Sequence, residues 1–134
     1  MYVVDAWSFI AWFQDERPAA DDFEEILDNS DHRLIMSMMN AAEVYYLIAG
    51  RVSESAADTA RQVMEKSPVE ILSVNDDLTW KAARLKARYP CSIADAFAGA
   101  LALQRDATLV TGDDDFEHLE ESEGLDVIML ERNE

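Results

Sequence analysis

Five short apolar runs, separated by helix-length amphipathic stretches, constrain the fold of this 134-residue chain more than any other feature. Residues 2–5, 33–37, 69–74, 107–111 and 125–130 read as strands. Between them, apolar side chains at helical spacing predict helices over residues 7–14, 20–27, 53–66 and 94–104. Another helix, capped by Asn40, runs through Ile48 and ends at Gly50. A further one opens at Asp76 or Asp77 and stops before Pro90, and a short one follows Asp115. Strands alternating with helices predict a parallel sheet covered on both faces. Repeats, low-complexity tracts and linkers are absent. The expectation is therefore one α/β domain over residues 1–134, doubly wound on about five strands.

Composition narrows the function classes. No apolar run approaches the length of a membrane span. The N-terminus lacks the basic start and small-residue cleavage site of a signal peptide, so a cytoplasmic protein is expected. The single cysteine, Cys91, excludes an internal disulfide and a cysteine-based zinc site. His32 and His118 are the only imidazoles, are too few for a histidine-rich metal site, and read as ordinary surface residues. The net charge of −17, from 11 Lys+Arg against 28 Asp+Glu, is the reverse of a typical nucleic-acid-binding face. These acids are dispersed along the chain, and lysine occurs only at Lys66, Lys81 and Lys86. Such a surface suits molar salt, where repulsion is screened within about 3 Å. A halophilic protein is expected, its charge reporting on solvent more than on partner, with an acidic mesophilic protein the ordinary alternative.

Four carboxylates then stand out by position. Asp5 closes the first strand, and Glu43 lies early in the helix after the second. Asp95 falls in the first turn of an alanine-rich helix, and Asp113 follows the fourth strand. Each has an ordinary alternative. Asp5 is a good helix N-cap, and Glu43 fits a solvent-facing helical position. Ser92-Ile93-Ala94-Asp95 fits a capping box, while Thr111-Gly112-Asp113-Asp114-Asp115 fits a turn and cap. Yet residues 93–103 carry no other charge, so Asp95 belongs to a helix apolar nearly all round. Three successive aspartates also exceed what a cap needs. In an open parallel sheet ligands bind at the carboxyl ends of the strands. Four acids gathered there raise one another's pKa unless a cation joins them, and a magnesium-type ion takes oxygen ligands.

The segments Val3-Val4-Asp5, Ala42-Glu43-Val44, Ser92-Ile93-Ala94-Asp95-Ala96 and Thr111-Gly112-Asp113-Asp114-Asp115-Phe116 resemble the four motifs of the PIN domain. More narrowly, they resemble VapC-type toxins of toxin–antitoxin pairs, over essentially the whole chain. The resemblance implies a PIN-like fold and a metal-dependent endoribonuclease whose four acids hold one or two Mg²⁺ or Mn²⁺ ions. Carried over by motif, the acids are Asp5, Glu43, Asp95 and Asp113. Asp115 matches a further acid, and Thr111 matches a supporting hydroxyl. It also implies an RNA substrate, a cognate antitoxin and a homodimer. One departure bears on Asp5: many members carry Thr-Ser next, whereas here Ala6-Trp7 intervenes and Ser8 comes a position late.

On this reading Asp5 and Asp113 are the central metal ligands, Asp95 completes the shell, and Glu43 binds through water or orients the attacking water. Arg51, Arg84, Lys86, Arg88 and Arg105 are the candidate RNA contacts, with a solvated face the ordinary alternative for each. Trp7, Phe9, Trp12 and Phe13 crowd one short helix, as core packing or as a surface for an antitoxin segment or a second copy. A receiver domain needs a lysine after the fifth strand, and none lies beyond Lys86. A haloacid-dehalogenase-like phosphatase needs Asp-x-Asp, which Asp5-Ala6-Trp7 lacks. The alternatives that remain are an RNA-maturation nuclease without an antitoxin and a non-catalytic binding subunit.

Overall fold

The five apolar runs form one parallel sheet in the order β3-β2-β1-β4-β5 in the computed structural model, which describes residues 1–29 and 31–131. Residues 30 and 132–134, part of the span expected as one domain, lie outside the described residues. In chain order the elements are β1 (Tyr2–Val4), α1 (Ala6–Phe13), α2 (Ala19–Asp28), β2 (Leu34–Ser37), α3 (Met38–Arg51), α4 (Glu54–Lys66) and β3 (Val69–Leu72). There follow α5 (Asp76–Arg88), α6 (Ile93–Arg105), β4 (Thr108–Thr111), a 3₁₀ turn (Asp114–Phe116), α7 (Glu117–Glu123) and β5 (Val127–Met129).

Strand alternation distributes the core into two layers. Val4, Leu34, Met36 and Val110 point toward α1–α4. Val3, Ile35 and Leu109 point toward α5–α7. Helices cover both faces, so the strands read as continuous apolar runs rather than alternating ones. Three of the four aromatics of α1 serve this packing. Phe9 meets Phe23 of α2 edge-on at 5.1 Å between ring centroids, Trp12 meets the same ring at 6.2 Å, and Phe13 stacks on Phe9 at 5.9 Å. Among the described residues no helix is long and apolar enough to cross a membrane.

The expected five-stranded parallel α/β fold is the one observed, with local corrections. Asn40 does not cap α3. Ser37 does, accepting the Asn40 N–H at 3.1 Å, because the helix starts directly from the end of β2. Gly50 does not end that helix, which continues to Arg51. Asn75 opens α5, accepting from the Leu78 N–H, ahead of both aspartates expected there. β3 and β5 are shorter than their apolar runs. His32 is part-buried, its ring stacked on Tyr2 at 4.3 Å, whereas His118 is exposed.

Candidate metal centre and active site

The order β3-β2-β1-β4-β5 places the switch of winding direction between β1 and β4, which pair with Val4 opposite Val110. The chain leaves these two strands toward opposite sides of the sheet, opening a crevice at their carboxyl ends. Asp5 and Thr111 meet there. Asp5 is only 2 % exposed. Its Oδ1 accepts the Ser8 N–H at 3.0 Å, which caps α1, and the Ser8 hydroxyl at 2.9 Å. The Thr111 hydroxyl donates to its Oδ2 at 2.5 Å and accepts the Asp113 N–H at 3.0 Å. One hydroxyl thus ties the loop after β4 to the acid after β1.

The remaining acids form an open rim. Ser92 caps α6, its hydroxyl accepting the Asp95 N–H at 3.1 Å, which sets Asp95 at the mouth of the crevice. Asp113 in turn accepts the Asp115 N–H at 2.9 Å. Asp95, Asp113 and Asp115 each offer an oxygen, and these atoms all lie within 4.8 Å of one another. Glu43, part-buried on α3, lines a cavity of about 320 Å³ together with the three aspartates, Trp7 and Arg51. The buried Asn40 locks α3 to α6 beneath this cavity, its Nδ2 donating to the Ala94 carbonyl at 3.0 Å. A larger, mainly apolar groove of about 990 Å³ runs between α3, α4 and β3. None of the four motif acids lines it, whereas Glu43, Asp95 and Asp113 line the smaller cavity.

Burial and crowding act on the acids in different ways. Burial pushes Asp5 from 3.8 up to about 6, partly opposed by Thr111 and Ser8, with a small push from Asp113. Asp95 rises from 3.8 to about 7 through desolvation and then through the charges of Asp113, Asp5 and Glu43. Glu43 is also raised, chiefly by desolvation, while a hydrogen bond from Tyr46 one turn on pulls it back. A cation among these groups relieves both penalties at once. The donors are all carboxylate oxygens, the set that hard divalent ions such as Mg²⁺ take. The residues present therefore fit such an ion.

All the acids singled out in the sequence converge on this crevice, though not in the expected arrangement. The tight group contains Asp115, thought subsidiary, and leaves out Asp5, which lies deeper with most of its lone pairs engaged by Ser8 and Thr111. Ser8, a position late in the motif, still reaches Asp5 because helix geometry brings the third residue of the turn back to its cap. Of the five candidate cations only Arg51 lines the cavity. Lys86 donates to the Cys91 carbonyl at 3.0 Å, and Arg88 pairs with Glu123 at 3.4 Å. Three contributors escaped the sequence reading: Asn40 as a brace, Tyr46 beside Glu43, and Trp7 as a cavity wall. The four-residue spacing of Glu43, Leu47 and Arg51, all lining the cavity, marks its α3 wall.

A parallel α/β domain that gathers carboxylates at the winding switch of its sheet offers an oxygen-donor set suited to a divalent cation. The chain belongs to the PIN domain family, whose model matches residues 2–122. Among curated proteins, none matches its sequence. Its structure is similar to VapBC2 from Rickettsia felis, solved bound to a DNA fragment from its promoter (TM-score 0.74, 15% identity, 97% of this chain and 98% of that one). It is similar to Mycobacterium tuberculosis VapC20, described as a sarcin-ricin loop cleaving toxin (0.74, 19%, 87% and 92%). A toxin–antitoxin complex from Klebsiella pneumoniae also matches (0.71, 18%, 99% and 100%). The fold is that of VapC toxins.

Proposed function

We propose that this protein is a metal-dependent endoribonuclease, the toxin of a toxin–antitoxin pair. The observation that carries the reading is the trio Asp95, Asp113 and Asp115, with oxygens within 4.8 Å of one another beside Glu43 in an open cavity. A bound Mg²⁺ or Mn²⁺ would supply charge neutralisation at the phosphate and a more acidic water. Asp95, Asp113 and Asp115 hold the ion on this reading, and Asp5 supports it from below with its remaining lone pair. Glu43, raised by burial, is placed to orient the attacking water and take its proton. Arg51, on the cavity wall, meets the substrate's phosphates. The structural neighbours solved as toxin–antitoxin complexes support a cognate antitoxin, and the apolar groove beside β3 supports a protein partner, an antitoxin segment or a second copy.

The test is cleavage of total cellular RNA in molar KCl with Mn²⁺ or Mg²⁺, native chain against Asp95→Asn, with the new ends sequenced. Discrete cuts that need metal and vanish in the variant are expected. Metal binding without any cut would replace the reading with a non-catalytic binding subunit. Cuts that persist in Asp95→Asn would overturn the carboxylate assignment.

A further inference from the structure

We propose that Trp7 is the surface on which a base flanking the scissile phosphate stacks, a contact that holds single-stranded RNA in the site whatever its sequence; this rests on the ribonuclease reading above. Trp7 is the second residue of α1, two residues after Asp5. A Cβ placed on Gly112 would lie 2.3 Å from two carbons of its six-membered ring and 2.7 Å from a third. Only glycine at 112 lets the indole occupy this place, directly against the loop that joins Thr111 to Asp113. The ring is therefore positioned by the same backbone that positions the acids. It is part-buried rather than enclosed, and it lines the cavity shared by Glu43, Asp95 and Asp113. The other aromatics of α1 are engaged in the α1–α2 packing, so Trp7 alone of that cluster reaches the site.

Charge explains why such a contact is needed. The cavity wall carries one cation, Arg51, against Glu16, Glu43, Asp95, Asp113 and Asp115. Ionic contacts to a polyanion are correspondingly few, and salt weakens them further. Base–aromatic stacking carries no net charge and tolerates any base. With Ser8 taking the hydrogen-bonding role beside Asp5, position 7 is left to contribute a ring.

The experiment uses a single-stranded 12-nucleotide RNA spanning a site that the native chain cuts in cellular RNA. Two further versions carry one abasic residue, immediately 5′ or 3′ of the scissile phosphate. Native protein, Trp7→Leu and Trp7→Phe are compared by KM and kcat, with Mg²⁺ affinity and Tm recorded for each. The expected result is that Trp7→Leu raises KM roughly tenfold on the intact RNA. One abasic substitution costs the native chain a similar factor, and the two losses together are no larger than either alone. Trp7→Phe restores most of the loss, and Mg²⁺ affinity is unchanged. Should Trp7→Leu fail to fold, the abasic pair read with native protein still decides. Equal KM for the intact and both abasic RNAs overturns the platform while leaving the nuclease intact. Losses that multiply, or that follow weakened Mg²⁺ binding, overturn it in favour of a packing role. A native chain that binds metal and cuts no RNA overturns the nuclease reading and the platform with it.

Discussion

Asp5 and Asp95 share one crevice and one motif set, yet they keep their protons by different means. Asp5 is the more deeply buried, and burial alone would make it the weaker acid; its pKa is nevertheless about 6, against about 7 for Asp95. The difference lies in hydrogen bonds. Three donors from Ser8 and Thr111 hold the charged form of Asp5. Asp95 has only Ser92 on its side, and it faces Asp113, Asp5 and Glu43. One acid is satisfied by the fold; the other is left to be satisfied by what binds. A site can thus be rigid underneath and electrostatically unfinished on top, which is how an empty scaffold favours a cation.

The largest effect expected from this contrast is on catalysis. Asp95→Asn lowers RNA cleavage on the order of a thousandfold, the loss of several kcal/mol of charge stabilisation. It leaves the metal-free Tm unchanged or higher, since an uncompensated charge is gone. Asp5→Ala also abolishes cleavage but destabilises the fold by roughly 3 kcal/mol, because a cap is lost and the buried Thr111 hydroxyl loses its carboxylate acceptor. Equal Tm shifts for the two variants in thermal melts would break the comparison.

Thr111→Val comes next. It removes a donor to Asp5 Oδ2 and the acceptor of the Asp113 N–H at once. A cost of roughly 1–3 kcal/mol in urea unfolding is expected. The Asp5 carboxyl moves further up, and Thr111→Ser restores both.

The pH profile separates the two acids more gently. Each folded-state pKa is above the unfolded value of 3.8, so the folded chain holds protons that the unfolded chain has released. By linkage, these groups make the metal-free protein less stable as pH rises from about 4 to about 7, and the effect levels off above. The Tm advantage of Asp95→Asn over the native chain should therefore widen across that window, by several degrees at most given partial solvent screening. Saturating Mg²⁺ should close it. A gap that is constant with pH would show that Asp95 titrates normally.

Much of this was legible beforehand. The sheet was, because strands buried on both faces must be apolar throughout, and helices over the runs between them have nowhere else to pack. The convergence of the four motif acids was, because each follows an apolar run or lies early in a helix at the carboxyl edge of the sheet. The trio was not: whether Asp113 groups with Asp5 or with Asp115 depends on the turn after Gly112, which spacing does not specify. Nor was Asn40, since a polar residue in the first turn of a helix looks like a cap until the strand before it is seen to end at Ser37. Trp7 was read with its aromatic neighbours because helical periodicity does not distinguish a core ring from one resting on a glycine beyond β4, far along the chain.

The smallest expected effect is the most discriminating. Ser8→Ala removes one of two donors on Asp5 Oδ1 and leaves the Ser8 N–H cap in place. The lost hydroxyl also lies 3.1 Å from the Val110 carbonyl, sharing its single proton between the two acceptors, so neither loses a full bond. The cost should be about 1 kcal/mol or less, well below that of Thr111→Val, which removes a donor to Asp5 and the acceptor of the Asp113 N–H together. NMR titration of the side-chain carboxyl carbons should find Asp5 shifted upward in Ser8→Ala and Asp95 hardly moved. If Asp95 moved as far as Asp5, the two acids would be one coupled system, and the division between a satisfied floor and an unsatisfied rim would fail.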